Sequence, residues 1–367
     1  MKYTVSRKVL KKYFEEREKS ELADQIINEF YLSLTASDTN QIRRYLKQNK
    51  GTLEEAYMSL ISSRLDPESR KLLKSVSKGY GLDQIRILDP LHFTENPYYK
   101  LLRKVPNFAK GNVVYKQLKT GAYVPVAIEE KIDDVKRNYA DISPLGTFEE
   151  DFLYPVIMQK KRIWMSFAPH DTETSEYQIS HAHGKVLTYG LGLGYFAYMA
   201  SEKKNVESVT VIEYDQNIID LFKEHLLPLF PHPEKIRIIQ CDAVAYGRDA
   251  EEKYDYLFAD IWHDAEDGLP FYIRMRKNEK VAEQAEYWIE QDMLVYLRRH
   301  VIALMEEELE GSKDSDYRYT ETFSDRLFRG LHYLLKDREL HSKEDVDRLL
   351  SAESLKEIVL QLPDSAA

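Results

Sequence analysis

The sequence predicts an α/β fold with a doubly wound, mostly parallel sheet, a helical N-terminal region and a helical C-terminal extension. Between Gly184 and about Trp262, short apolar runs alternate with helical patterns in units of roughly 25 residues. These runs contain few polar residues, as expected for strands that helices cover on both faces. A glycine loop follows the first run, and acidic residues stand at the ends of the next three.

The patterns divide the chain into four parts. They are a helical N-terminal region (1–110), a strand-rich connecting region (111–168), an α/β core (169–280) and a helical C-terminal region (281–367). In the first part, Thr52 and Glu55 form a capping box, in which the hydroxyl accepts from the N3 amide and the carboxylate reaches back. This pair predicts a helix that runs towards Leu65 and ends at Asp66-Pro67.

Two strand pairs are expected in the connecting region. They are Asn112–Leu118 with Ala122–Ile128 around Lys119-Thr120-Gly121, and Val156–Met158 with Arg162–Phe167 around Gln159-Lys160-Lys161. The polar residues 131–150 are expected to form a linker or a short helix. A short helix is also expected in the Ser/Thr-rich stretch from Pro169 to Ser180.

The core elements follow in order. The predicted strands and helices are Val186–Tyr189, helix Tyr195–Ser201, Ser208–Ile212, helix Gln216–Leu227 closed by Pro228, Ile236–Gln240 and Tyr254–Ala259. Beyond them, Glu279–Glu310 has apolar residues at helical spacings and is expected to be helix almost throughout. Either the sheet therefore ends after its fourth strand, or strands from 112–128 and 156–167 complete it.

Composition and charge narrow the function classes. Lys and Arg number 52 and Asp and Glu number 62, so the net charge of −10 argues against a broad nucleic-acid surface. Cys241 is the only cysteine, which excludes an internal disulfide and a cysteine-based zinc site. No run reaches the roughly 20 apolar residues of a membrane span, and Met1–Ser20 lacks a signal-peptide core. We therefore expect a cytoplasmic protein without a membrane segment.

The glycine loop reads Gly190-Leu191-Gly192-Leu193-Gly194, between a predicted strand and a predicted helix. Glycines there allow a sharp turn and let a ligand approach without a Cβ in its way. Amides at the start of the helix would favour a carboxylate or a phosphate. Tyr195 stands where the dinucleotide-binding pattern G-x-G-x-x-G needs its third glycine, which disfavours pyrophosphate binding.

Acidic residues at the ends of the next three strands point to a nucleotide. Glu213 could accept hydrogen bonds from both ribose hydroxyls, and Asp242 could accept one from an adenine amino group. Asp260 ends the fourth strand and is expected at the same edge. Ligands of open α/β sheets bind outside the carboxyl ends of the strands, so together these residues predict a nucleotide site.

These residues resemble those of the class I S-adenosylmethionine-dependent methyltransferases, a family with a Rossmann-like fold. Motif I of that family corresponds to Val186–Gly194, its ribose-binding acid to Glu213, its adenine-contacting acid to Asp242 and its post-strand-four position to Asp260. The resemblance covers about residues 184–265. It implies S-adenosylmethionine as the cofactor, bound by residues of the loop and of the strand ends: Gly190, Leu191, Gly192, Gly194, Glu213, Tyr214, Asp242, Ala243 and Asp260.

The segment that begins at Asp260 supplies candidate groups for chemistry. Methyl transfer from a sulfonium requires alignment of the acceptor and, where the acceptor carries one, removal of a proton. Asp260 and His263 are the predicted catalytic residues, and Trp262 could form an apolar or cation–π wall. One histidine among neighbouring carboxylates is too common in loops to indicate a metal ion, so no metal site is expected.

Three function classes remain open. The first is a methyltransferase that acts on a small-molecule or protein acceptor. The second is an aminopropyltransferase of the spermidine synthase type, which uses decarboxylated S-adenosylmethionine. That family carries an acid in the glycine loop, where this chain has Leu193, and its D-x-x-D pair is displaced here to Asp260 and Asp264. The third is a non-catalytic nucleotide-binding module. The sequence identifies no acceptor, disfavours nucleic acid and leaves a homo-oligomer open.

Overall fold

The computed structural model describes residues 1–48, 51–67, 70, 71, 74, 79–278, 280–310, 322–363 and 366. A short strand β1 (Lys2–Tyr3) and three helices begin the chain: α1 (Arg7–Ser33), α2 (Ala36–Lys47) and α3 (Leu53–Arg64). The capping box at the start of α3 is confirmed, since the Glu55 amide donates to Thr52 Oγ1 and the Thr52 amide donates to the Glu55 carboxylate. The helices enclose a small apolar core around Phe30, Ile42 and Tyr57.

Short strands and helices then lead to the connecting region. They are β2 (Arg86–Ile87), α4 (Pro90–Thr94), α5 (Pro97–Leu102), β3 (Phe108–Lys110), β4 (Val113–Thr120), β5 (Val126–Ala127), β6 (Ile132–Asp134), β7 (Ala140–Ile142), β8 (Leu145–Thr147), β9 (Phe152–Gln159) and β10 (Arg162–Ser166). Four of these strands form an antiparallel sheet in the order β10-β9-β4-β3. Residues 131–150, expected as a linker or short helix, contain three short strands and one turn of 3₁₀ helix, Val135–Arg137.

The hairpin expected around Lys119-Thr120-Gly121 is wrong. β4 pairs with β3 and β9, whereas β5 pairs with β8 in another sheet. Asp151 explains the difference, because its carboxylate accepts from the Ala122 amide at 3.0 Å and pairs with Lys119 at 2.6 Å. These contacts hold the end of β4 against β9. The second expected hairpin is confirmed, with Lys160 and Lys161 turning at φ +50° and +68° between β9 and β10.

The core is a five-stranded parallel sheet with helices between its strands. Its elements are α6 (Pro169–His181), β11 (Gly184–Tyr189), α7 (Tyr195–Ser201), β12 (Val206–Glu213), α8 (Gln216–Leu221), β13 (Ile236–Gln240), α9 (Ala243–Asp249), β14 (Tyr254–Ala259), α10 (Ala265–Asn278) and β15 (Ala282–Tyr287). The strand order is β13-β12-β11-β14-β15, and every neighbouring pair is parallel. The predicted Rossmann-like α/β fold is therefore confirmed.

The fifth strand corrects the expectation of helix across Glu279–Glu310, of which residue 279 lies outside the described residues. β15 pairs with β14 over its whole length, and the following helix begins only at Glu290. The Tyr254 amide donates to the Val281 carbonyl, and the Trp288 amide donates to the Ala259 carbonyl. Both alternatives for completing the sheet are wrong: it continues past strand four, and strands from 112–128 and 156–167 belong to other sheets.

Four helices and one short strand complete the described chain after the sheet. They are α11 (Glu290–Glu310), α12 (Phe323–Leu335), α13 (Lys343–Leu350) and α14 (Ala352–Gln361), and the short strand β16 (Glu339–Leu340) pairs with β1. α11 packs against α1, α10 and α14. Its buried Arg298 donates to the Asp133 carboxylate and, at 2.7 Å, to the Leu350 carbonyl, which joins the connecting region to the C-terminal helices.

Within the described part of the chain, the helices are all too short or too polar to cross a membrane.

Candidate functional site

A cavity of about 550 Å³ opens at the carboxyl ends of the parallel strands. β11 lies at the centre of the sheet, with β12 on one side and β14 on the other. After β11 the chain therefore turns towards β12, whereas after β14 it turns towards β15, on the opposite side. The loops that follow β11 and β14 separate and leave a crevice. Residues that follow β11, β12, β13 and β14 all line this cavity.

The glycine loop after β11 forms the floor of the cavity. Gly190, Gly192 and Gly194 have φ angles of +89°, +59° and +85°, which side chains other than glycine rarely adopt. A Cβ on Gly190 would lie 2.0 Å from the Asp260 carbonyl oxygen, and one on Gly194 would lie 2.3 Å from Phe222. These two glycines are required for packing as well as for the turn.

Gly192 differs from the other two glycines because open space lies beside it. The nearest atom to a Cβ there would be Met165 Sδ at 3.8 Å, an ordinary contact. Its amide has no acceptor within the described chain. Gly190, Leu191 and Gly192 line the cavity, whereas Gly194 lies behind the wall against Tyr98 and Phe222. Gly192 is thus the glycine whose missing side chain leaves room for a ligand.

Glu213 lies at the end of β12 with 8% of its surface exposed. Its Oε2 accepts from the Leu191 amide at 3.0 Å, and its Oε1 accepts from the Asp215 amide at 2.8 Å. Burial raises the pKa of Glu213, while the backbone hydrogen bonds act in the opposite direction. A carboxylate oxygen accepts more than one hydrogen bond, so each can still receive a ligand hydroxyl. Tyr214, 75% exposed, stands beside it on the cavity wall.

Asp242 and Ala243 line the cavity after β13. Asp242 is the N-cap of α9, where its Oδ1 accepts from the Ala245 amide at 2.8 Å. This capping role fixes the carboxylate at the strand end and leaves Oδ2 for a ligand. Ala243 is buried, so its small side chain belongs to the apolar part of the wall.

Asp260 and Asp171 bring two carboxylates to one side of the cavity. Burial, together with the charge of Asp171, raises the pKa of Asp260 to about 8. No hydrogen bond reaches the Asp260 carboxylate from any residue in the described ranges. Asp171, in the first turn of α6, accepts from Ser166 Oγ and from the Ala168 amide, and burial raises its pKa as well. Asp260 is therefore a carboxyl group whose partner must come from the cavity.

His263 forms a dyad with Asp267. His263 Nδ1 lies 3.0 Å from Asp267 Oδ2, and Asp267 Oδ1 accepts from the backbone amides of His263 and Asp264. The dyad favours the tautomer with a proton on Nδ1. Nε2 is buried and has no hydrogen-bond partner in the described residues. The His263 ring packs edge-on against Trp164, with 4.0 Å between the ring centroids. The arrangement leaves the Nε2 lone pair unused in a residue that lines the cavity.

Aromatic side chains supply much of the remaining wall, and the hairpin strand β10 contributes five consecutive residues to it, Arg162–Ser166. The aromatic residues of the wall are Trp164, Tyr195, Phe196, Phe258, Trp262, Phe271 and Trp288. Trp262 Nε1 donates to the Trp288 carbonyl at 3.1 Å, which holds the wall predicted for Trp262 in a fixed position. Because these aromatic rings have no charged partner in the described part of the wall, they would exclude water from a reacting centre.

Several cavity residues were not predicted from the sequence. Asp171 lies in the Ser/Thr-rich stretch, where only Pro169 at a helix start and an acid two residues later mark the first turn of α6. Asp267, which lies beside the cavity and orients His263, was not among the predicted site residues either. Trp164 and Met165 come from a hairpin whose position over the sheet depends on tertiary packing.

The residues fit a nucleoside with a charged amino-acid tail. The volume is in the range of small-molecule sites, roughly 300–1,000 Å³. Gly192 leaves an open side, Glu213 and Asp242 offer acceptor oxygens, and the aromatic residues offer apolar surface.

No protein-family model matches this chain, and no curated protein matches it. Solved structures with local similarity include spermidine synthase from Thermotoga maritima (16% identity, TM-score 0.27, 35% of this chain and 49% of that one). Others are MNMC2 from Aquifex aeolicus (16%, 0.25, 35% and 53%) and protein arginine methyltransferase 10 from Arabidopsis thaliana (15%, 0.25, 40% and 44%). The chain spans about half the length of these proteins. At these TM-scores the alignments assign neither a family nor a function to the chain.

Proposed function

We propose that this protein is an S-adenosylmethionine-dependent methyltransferase. One observation carries the proposal: the glycine loop, Glu213, Asp242 and Asp260 lie at the ends of four different strands and line a single cavity at the switch point of the sheet. The acceptor is a small molecule or a protein. The net charge of −10 disfavours a nucleic acid.

Different residues of the cavity suit different parts of the cofactor. The open side of Gly192 and its free amide suit the carboxylate of the amino-acid tail. The oxygens of Glu213 suit the ribose hydroxyls, while Tyr214 and Asp242 suit the adenine ring and its amino group. The sulfonium, when bound, supplies an activated methyl group and leaves as a neutral thioether.

Asp260 and His263 would handle the acceptor's proton. With a pKa of about 8, Asp260 is a base matched to neutral or mildly alkaline pH. His263 Nε2 has no other partner in the described residues, and Asp267 fixes the ring that carries it. Proton removal of this kind contributes about 10²–10⁴-fold to rate, and the apolar wall keeps water from competing with the acceptor.

Aminopropyl transfer from decarboxylated S-adenosylmethionine is the second candidate. Asp171 and Asp260 favour it, because two buried carboxylates with raised pKa values would gain a counter-charge from a cationic amine acceptor. The free Gly192 amide favours the first candidate instead, since only the cofactor with a carboxylate would use it.

Calorimetric titration with S-adenosylmethionine and with its decarboxylated form separates the candidates. Tighter binding of the intact cofactor by about tenfold or more, as expected for a charge-assisted hydrogen bond, supports methyl transfer. The reverse preference supports aminopropyl transfer. Binding of neither compound contradicts both candidates, and binding without turnover on any amine, small-molecule or protein acceptor supports the non-catalytic module.

A further inference from the structure

The tip of the β9–β10 hairpin carries three cations in a row, Lys160, Lys161 and Arg162, and we call it the basic turn. All three side chains are exposed, and none has an ion pair or a hydrogen bond within the described part of the chain. Although Asp and Glu make up 62 of the 367 residues, none of them lies between Asp151 and Asp171. The basic turn is thus a positive surface on a protein whose net charge is −10.

The backbone of the basic turn suits other residues better than lysine. Lys160 and Lys161 have φ angles of +50° and +68°. Two-residue hairpin loops with a positive φ at both positions usually read Asn-Gly, because other side chains are strained there. Two lysines at strained positions point to a role of their side chains other than folding.

Contacts on both sides of the basic turn place it at the mouth of the first cavity. On one side, Gln159 Nε2 donates to Asp215 Oδ2 at 2.7 Å, just beyond the end of β12. On the other side, Arg162 itself lines the cavity, and it is the one Lys or Arg among the described lining residues. The two lysines stand between these anchor points, so all three cations lie at the edge of the cavity.

Trp164 extends this edge with an aromatic surface. It lines the cavity, is 39% exposed, and its ring centroid lies 4.0 Å from that of His263. Ile163, which is also 39% exposed, separates it from Arg162 in the strand. A flat molecule on the Trp164 ring would therefore lie between the proposed base His263 and the Arg162 guanidinium.

The carboxyl groups that share the cavity do not neutralise Arg162. Three of them accept from backbone amides, and burial raises the pKa of the other two, which favours their uncharged forms: Glu213, Asp242 and Asp264, and then Asp171 and Asp260. None of the five pairs with Arg162 in the described ranges. The planar guanidinium binds a carboxylate or a phosphate through two parallel hydrogen bonds, so Arg162 is available for such a group.

We propose that the acceptor of the first cavity is an aromatic molecule with a carboxylate or phosphate group, and that the basic turn binds this group. Arg162 would donate the paired hydrogen bonds, and Lys160 and Lys161 would attract the anion to the mouth of the cavity. Trp164 would pack against the aromatic ring. The proposal rests on the proposed function, because it names the acceptor of that site.

The test is titration of the full-length protein with 4-hydroxybenzoate and with phenyl phosphate at pH 7, each with and without saturating S-adenosylmethionine. We expect wild type to bind at least one of the two anions, and the tighter one identifies the anionic group. Its Kd should rise by about tenfold or more in Arg162→Gln. Tyramine and 4-hydroxybenzyl alcohol carry a phenol ring without a negative charge and should bind about tenfold more weakly or less tightly still.

A double variant, Lys160→Asn with Lys161→Gly, separates ligand binding from folding. Asn-Gly suits the two positive φ angles, so its melting temperature should equal or exceed that of wild type. Its Kd for the anion should rise by about threefold or more, because two positive charges are lost. Lys185→Gln is the control for charge, since Lys185 is exposed at the amino end of β11, away from the cavity, and its Kd should stay within about twofold.

The proposal fails if neither anion binds to wild type, if folded Arg162→Gln binds as wild type does, or if the anion and S-adenosylmethionine compete. Tighter binding of a single-stranded oligonucleotide than of either anion also overturns it, because the cations would then serve a nucleic acid. Wild type that binds S-adenosylmethionine but neither anion contradicts this proposal alone. Absence of S-adenosylmethionine binding contradicts the proposed function instead.

Discussion

The carboxylate of Glu213 accepts a hydrogen bond from the backbone amide of Leu191, with 3.0 Å between Oε2 and the nitrogen. The contact joins the end of β12 to the glycine loop after β11. The group proposed to bind the ribose thus also sets the shape of the loop proposed to bind the amino-acid tail. Because of this coupling, a substitution of Glu213 is expected to weaken the contacts with both the ribose and the amino-acid tail of the cofactor.

Gly192→Ala tests whether the loop contacts a ligand. The new Cβ would enter the open side of the loop, at a left-handed φ that costs an L-residue about 1–2 kcal/mol. We expect a modest fall in melting temperature and a rise of about tenfold or more in the Kd for S-adenosylmethionine.

Gly111→Ala is the matched control for that substitution. Gly111 has nearly the same φ, +60°, and lies outside the cavity, next to Asn217. It should lose similar stability and keep its affinity. Equal affinities of Gly192→Ala and wild type would mean that the loop is only a turn.

Asp260→Asn should stabilise the protein increasingly as the pH rises. The carboxyl has a pKa of about 8 in the folded chain, above its ordinary value of 3.8. Between these two pKa values the Asp260 carboxyl is ionised in the unfolded chain and protonated in the folded chain. This group therefore lowers the stability of wild type progressively from about pH 4 to pH 8. One pKa unit corresponds to about 1.4 kcal/mol, and with solvent in the cavity we expect a gain of about 1–2 kcal/mol at pH 8.5.

Melting curves of wild type and Asp260→Asn at pH 4.5, 6.5 and 8.5 measure this gain. The difference between the two proteins should widen with pH and then level off. A difference that is the same at all three pH values would show that Asp260 carries its ordinary pKa.

Much of the core could be predicted from the sequence. The strands β11 to β14 are short apolar runs, and their end residues were assigned to the sheet edge where the cavity lies. β15 was missed because Ala282–Tyr287 reads Ala-Glu-Gln-Ala-Glu-Tyr, which consists mostly of good helix formers. The pairing of this segment with the open edge of β14 overrides its helix preference. The sequence of the segment alone does not show that such an edge lies beside it.

The missed parts of the site depend on contacts between distant segments. Asp171 matters because α6 brings it near Asp260, and the hairpin strand β10 matters because it packs over the glycine loop at Met165. Asp267 could have been found locally, since it stands four residues after His263 at the start of a helix. The pairing can be expected only once a helix is assigned to begin at Ala265, because His263 lies just before that helix and Asp267 lies in its first turn.

Asp267→Asn should change the tautomer of His263. The carboxylate holds the proton on Nδ1, whereas an amide can turn its NH₂ group towards Nδ1 and favour the proton on Nε2. Nitrogen NMR of labelled histidine at pH 8.5 distinguishes the two forms. We expect the Nδ1–H form in wild type and a loss of that preference in the variant.

Asp264→Asn is the control for this spectrum, because Asp264 accepts from helix amides and makes no contact with the imidazole among the described hydrogen bonds. Its histidine signals should match those of wild type. An Nε2–H form in wild type would contradict a base at Nε2.

Glu213→Ala, compared with Glu207→Ala, tests the central claim most directly by calorimetric titration with S-adenosylmethionine. Glu207 lies exposed on the same strand, so its variant controls for the loss of a carboxylate. We expect one cofactor per chain in wild type, no change in Glu207→Ala, and binding about 1–3 kcal/mol weaker in folded Glu213→Ala, since charge-assisted hydrogen bonds are lost. Absence of binding to wild type, or equal affinity in folded Glu213→Ala, would contradict the assignment of the cavity.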